Sequence, residues 1–157
     1  MRSIRRLLPG LILASALGGT ASAQPAPSPQ GDWQTEGGWA TVRIAACPGQ
    51  PDRLCGRIVA LKEPTFKNGS PKRDTANSDP KLRSRPVLGM PFITGFKAAG
   101  TGRWNGGKIY NPGDGKTYNS HMTLNADGSL KVNGCVLVIC QGQTWTRVRS
   151  WPASARL

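Results

Sequence analysis

Residues 104–118, WNGGKIYNPGDGKTY, bring a tryptophan, two tyrosines, an aspartate and a Gly-Lys-Thr triplet close together. Gly115-Lys116-Thr117 suggests a phosphate loop, in which backbone N–H groups and a lysine cradle phosphate oxygens. That motif needs a glycine five positions before Gly115, where Tyr110 stands, and a helix behind it, where TYNSHMTL alternates like a strand. Calcium needs carboxylate oxygens at alternating loop positions, and Asp114 has none beside it. Asp74, Asn77 and Asp79 read more simply as Asx-turn formers and as partners for Arg83 and Arg85. Ser78-x-x-Lys81 has the spacing of a penicillin-recognising nucleophile, but it sits in a proline-containing loop. No Lys-Thr-Gly partner exists, because Tyr118 follows Thr117.

His121 is the one histidine, so any Ser-His-Asp or Cys-His site must use it. By strand alternation it faces away from Met122 and Leu124, toward solvent if those two face a core. The four cysteines form two local pairs, Cys47 with Cys55 and Cys135 with Cys140, whose spacing does not suit zinc knuckles. In an exported chain such cysteines are expected to be bridged, locally in preference to the two other pairings. No catalytic set, metal site or cofactor site emerges, and the expectation is a protein that is not an enzyme.

The aromatics remain. Trp39, Trp104, Tyr110, Tyr118 and Trp145 can fill a core or line a pocket where they stack on a ligand. Trp104, Tyr110, Tyr118 and Trp145, with Arg85 and Lys108 as cations for an anionic group, form the candidate ligand-binding set.

The elements that must position these residues begin after a leader. Arg2, Arg5 and Arg6 precede an apolar run from Leu7 to Leu17, and Ala21-Ser22-Ala23 offers a small-residue cleavage site. Residues 1–23 therefore read as a signal peptide, 24–30 as a proline-rich linker, 31–149 as one folded domain and 150–157 as a tail. No later run approaches the roughly 18 apolar residues of a membrane-spanning helix, so a periplasmic or secreted, non-spanning protein is expected. The leader's arginines aside, 18 basic residues face 8 acidic ones. That surplus favours anionic envelope partners, and export argues against nucleic acid.

Short alternating runs separated by turn signals replace any helical period. Strands are expected at 39–45, 54–61, 91–97, 103–110, 116–124, 129–138 and 142–149. A long basic connection covers 62–91, in which Asp79-Pro80 opens one helical turn through Arg83. The expectation is an all-β, antiparallel, up-and-down meander of about 7–8 strands, closed into a barrel so that no edge is left exposed. Across residues 104–118, a four-residue turn at 112–115 would set Ile109 opposite Tyr118 and Tyr110 opposite Thr117. Trp104 then shares the face of Tyr110 unless the glycines at 106–107 form a bulge.

GDWQTEGGWATVRI, LCGRIVALKEP, RSRPVLGMPFITGFK, WNGGKIYNPGDGKTY and GCVLVICQGQTWTRV together resemble the domain of unknown function 2147 family. The resemblance spans essentially the whole mature chain. It implies a small exported bacterial protein with a lipocalin-like β-barrel. It also implies structural roles for Trp33, in Gly31-Asp32-Trp33 on the first strand, and for Arg147 on the last, the guanidinium stacked on the indole. The function expected is binding of a small hydrophobic or amphipathic ligand, its head anionic. The alternative is an envelope interaction protein that docks on anionic surfaces through a basic face.

Overall fold

In a computed structural model, which describes residues 27–148, each alternating run pairs with the next run along the chain. The eight strands are β1 (Gly31–Gln34), β2 (Ala40–Cys47), β3 (Gln50–Leu61), β4 (Pro91–Ala98), β5 (Arg103–Asn111), β6 (Lys116–Leu124), β7 (Leu130–Val136) and β8 (Ile139–Arg147). All pairings are antiparallel in chain order, and Trp33 of β1 pairs with Arg147 of β8 to close the barrel. The expected all-β, up-and-down barrel is what forms. The expected signal peptide at 1–23, the first part of the expected linker, Arg149 and the expected tail at 150–157 lie outside the described residues.

Three boundaries differ from the sequence reading. A short β1 precedes the run at Trp39, separated from it by a single 3-10 turn at Glu36–Gly38. The β2–β3 hairpin is tighter than expected: Cys47 already pairs with Gln50, and the Cys47–Cys55 disulfide lies across two paired strands. In the last hairpin, Val136 pairs with Ile139, so the chain turns at Leu137–Val138 where a continuous strand was expected. That segment carries no glycine, proline or asparagine to announce the turn. The second disulfide, Cys135–Cys140, joins the residue pair just inside it.

The interior is packed by alternate residues: Trp33, Val42, Ile44, Ile58, Ile93, Phe96, Met122 and Trp145 are all at most 1% exposed. Gly107 allows one close contact, since a Cβ there would lie 2.3 Å from the Phe96 ring. The register shift between Trp104 and Gly107 is a bulge, with Gly106 at φ 69°. It rotates Trp104 onto the core face opposite Met122. Ile109 and Tyr110 pair with Tyr118 and Thr117, the register that the four-residue turn demands.

At one end the preceding strap covers the barrel. Trp33 Nε1 donates to the Pro29 carbonyl at 2.7 Å. The Arg147 guanidinium lies 4.2 Å from the Trp33 ring and donates to the Gln30 and Ser28 carbonyls, each at 2.8 Å.

Candidate functional site

In an up-and-down barrel, the connections after β1, β3, β5 and β7 share one rim, opposite the Trp33–Arg147 end. Beneath this rim opens a cavity of ≈ 600 Å³, within the range of small-molecule sites. Its apolar lining comes from Trp39, Phe92, Ile109, Val132, Val136 and Ile139. Tyr110, Tyr118, Asn111, Gln141 and Gln143 add polar groups. Phe92 stacks on Trp145 at 6.0 Å between centroids and meets Trp39 edge-on at 5.6 Å, which makes an aromatic shelf.

Glu36 and Asp114 supply the formal charges in the lining. Glu36 Oε2 accepts from the Thr144 amide at 2.7 Å. Asp114 accepts from the Tyr118 hydroxyl at 2.5 Å and the Lys116 amide at 2.9 Å. The Tyr118 hydrogen bond is the main reason why the Asp114 carboxyl titrates below its ordinary value, and the same bond raises the Tyr118 phenol. Two acceptors and one phenol therefore stand at the mouth, already oriented by backbone and side-chain donors.

The β3–β4 connection, residues 62–90, is held against this rim by a buried carboxylate. Asp74 is fully buried. It accepts from the Tyr110 hydroxyl at 2.5 Å, from Asn77 Nδ2 at 2.7 Å and from Arg85 Nε at 2.9 Å, with a second Arg85 nitrogen at 2.7 Å. Burial pushes the Asp74 carboxyl up, but these donors outweigh it and leave the group below its ordinary value. Burial, followed by the bond to Asp74, pushes the Tyr110 phenol up to about 12. Gly115 in the turn of the same hairpin completes the clamp: a Cβ there would sit 1.8 Å from the Ala76 carbonyl oxygen. The connection also folds on itself through bridges Thr65–Pro71 and Arg73–Pro86, and Asp79 caps the short 3-10 turn at Pro80–Leu82.

Of the candidate ligand residues, Tyr110 and Tyr118 reach the cavity lining. Trp104 and Trp145 lie in the core, 7% and 0% exposed, and Trp145 supports the cavity from behind, by stacking on Phe92 and by donating its Nε1 to Gln143 at 3.0 Å. Arg85 is engaged by Asp74 and sits 5.5 Å from the Tyr110 ring. Lys108 points outward from β5 and donates to Asn119. These two cations thus do not meet at the mouth. The sequence reading missed Glu36, Phe92, Val132, Val136 and Ile139. The alternation of Leu130, Val132 and Gly134 was the one signal that could have placed β7 in the wall. His121 is half-buried on the outer face, its Nδ1 3.9 Å from Cys135 Sγ. Cys135 and Cys140 would join it as metal ligands by distance, but their sulfurs are bonded to each other.

A closed eight-stranded antiparallel barrel, open at one rim and strapped at the other by a Trp–Arg stack, defines a lipocalin-like barrel. The chain belongs to a family of uncharacterized proteins conserved in bacteria, DUF2147, whose pattern it matches over residues 31–147. Its fold is similar to that of a solved structure, protein HP1028 from the human pathogen Helicobacter pylori, which is described as belonging to the lipocalin family. The TM-score is 0.63 and the identity 26%, over 76% of this chain and 82% of that one. No curated protein matches the chain.

Proposed function

We propose that the protein is an exported binding barrel that takes a small hydrophobic or amphipathic molecule into the rim cavity. The cavity itself carries the reading: a small barrel can fill its interior with side chains, whereas this one keeps ≈ 600 Å³ open above the Phe92–Trp145 stack. Lipocalin-like barrels bind small ligands in general and are typically not enzymes, and HP1028 is assigned to the lipocalins. The lining also bears on the head group. Glu36 and Asp114 are acceptors, and Arg85 and Lys108 are committed elsewhere. A neutral head with hydroxyl or amide donors therefore suits the mouth better than the anionic head expected from charge.

Native mass spectrometry of protein purified from its own envelope tests this directly. The expected result is an added mass that is lost in Val132→Phe, which fills the cavity floor. Protein that carries no added mass, and whose tryptophan fluorescence does not respond to a panel of fatty alcohols, amides and acids, would defeat the proposal.

A further inference from the structure

The β7–β8 hairpin ends in four consecutive apolar residues that the barrel does not cover. Val136, Leu137, Val138 and Ile139 are 58%, 91%, 93% and 78% exposed. Two-residue hairpin turns favour glycine, asparagine or aspartate because their backbone needs positive φ. Here Leu137 takes that conformation, at φ 54°, the one non-glycine residue to do so among those described. The Cys135–Cys140 bridge ties the strands just inside the tip, so the apolar side chains are held outward as a rigid unit. Neither backbone propensity nor folding accounts for four hydrophobes at this position. An apolar projection held in water signals something that covers it.

The surroundings indicate what that is. Val136 and Ile139 line the cavity mouth, so the tip stands on the same rim as the β3–β4 connection. That connection carries seven basic residues, among them Lys62, Lys67, Lys72 and Arg73, against three acidic ones. One of the three, Asp74, is buried and paired with Arg85. The same segment exposes Phe66, at 53%. A rigid apolar tip that shares a rim with a cationic segment is an arrangement that inserts shallowly between acyl chains while lysines and arginines across the mouth meet anionic headgroups. We infer that the rim docks on an anionic lipid bilayer, with the Val136–Ile139 tip inserted and the cavity mouth facing the membrane. Docking is independent of what the cavity holds, although it would let an amphipathic ligand pass between bilayer and barrel.

Sedimentation with phosphatidylcholine vesicles, with and without phosphatidylglycerol, tests the inference. Protein purified after export is used, its amino terminus checked by mass. The expected result is binding to the anionic vesicles, much weaker binding without phosphatidylglycerol, and release as salt rises well above about 0.1 M. The double variant Leu137→Gly, Val138→Ser places favoured turn residues at the tip, so its folding is protected. It should lose about tenfold or more in vesicle partitioning, since two side chains no longer leave water. Val132→Phe should bind vesicles as the parent does, which separates docking from ligand binding. Equal binding by parent and double variant, or no binding to anionic vesicles, would overturn the inference. So would a parent dimer that the double variant converts to monomer, because a second copy would then be what covers the tip.

Discussion

The Tyr110 hydroxyl donates to Asp74 Oδ1 at 2.5 Å, and through this bond β5 holds the β3–β4 connection on the barrel. Asn77 closes the triangle, its Nδ2 reaching both Asp74 Oδ2 and the Tyr110 oxygen at 3.0 Å. Because Asp74 is wholly buried, each donor it loses leaves part of a charge without solvation. Tyr110→Phe should therefore lower the unfolding free energy by about 1–3 kcal/mol, the cost of an unmade bond to a buried charged group. Asp74→Ala, which strands Arg85, Asn77 and Tyr110 together, should cost about 3–5 kcal/mol. Urea denaturation followed by tryptophan fluorescence measures both, and a Tyr110→Phe variant as stable as the parent would contradict the clamp.

The same pair imposes opposite pH dependences. Asp74 titrates lower in the folded protein than unfolded, so its contribution is complete above the unfolded value of about 3.9 and is lost as the pH falls below it. Tyr110 titrates higher when folded, at about 12. Its contribution is complete below the unfolded value of about 10 and is lost as the pH rises through the folded one. The stability difference between parent and Tyr110→Phe should accordingly shrink between about pH 10 and pH 12. Denaturant midpoints at several pH values read it directly, and a constant difference across that window would argue against the assignment.

Sequence signals and structure agree where the local chemistry is decisive. Pro112 to Gly115 form a strong turn, so the Ile109–Tyr118 register follows from counting, and Gly106 supplies the bulge that turns Trp104 inward. The β7–β8 turn is the reverse case. Val136 to Ile139 is an apolar run with high strand propensity, and a disulfide and the barrel geometry override it. Asp74 shows a third limit. Its pairing with Arg85 is legible nearby in the chain, but its bond to Tyr110 spans 36 residues and depends on how the connection folds back. The cavity was illegible for the same reason. It is made by residues of β4 to β8 together with the β1–β2 connection, none of which carries a motif.

Gly115 separates contact from conformation. It has φ +69°, and a Cβ would meet the Ala76 carbonyl at 1.8 Å; Gly128 has φ +81° with nothing within 4 Å. Both alanine variants pay the left-handed backbone penalty of about 1–2 kcal/mol. Only Gly115→Ala must also move the backbone at Ala76, so its melting temperature should fall well below that of Gly128→Ala. Equal melting temperatures would mean that the Asp74 segment does not press on the hairpin.

Both cysteine pairs are bonded, Cys47 to Cys55 and Cys135 to Cys140. Unfolded, unreduced protein should titrate no free thiol, and reduction should release all four. Replacing Cys135 and Cys140 with serine opens a loop of only a few residues, so the loss should be about 2 kcal/mol on the chain-entropy account. Four free thiols before reduction would refute the bridges.

At the opposite end of the barrel, Arg147 combines a stack with two carbonyl bonds. Its guanidinium lies over Trp33 at 4.2 Å and donates to Ser28 and Gln30, which belong to the strap preceding β1. Arg147→Met keeps much of the stem but removes charge and donors. It should cost at least the roughly 0.5–2 kcal/mol of a cation–π contact. Arg147→Lys restores the charge without the planar fork, so only partial recovery is expected. Because the strap covers Trp33 through the Pro29 carbonyl at 2.7 Å, amide exchange at the Trp33 indole N–H should accelerate in Arg147→Met. Ligand binding at the far rim should be unchanged. Unaltered indole exchange in a variant with lowered stability would assign the stabilisation to the stack alone and leave the strap held by other contacts.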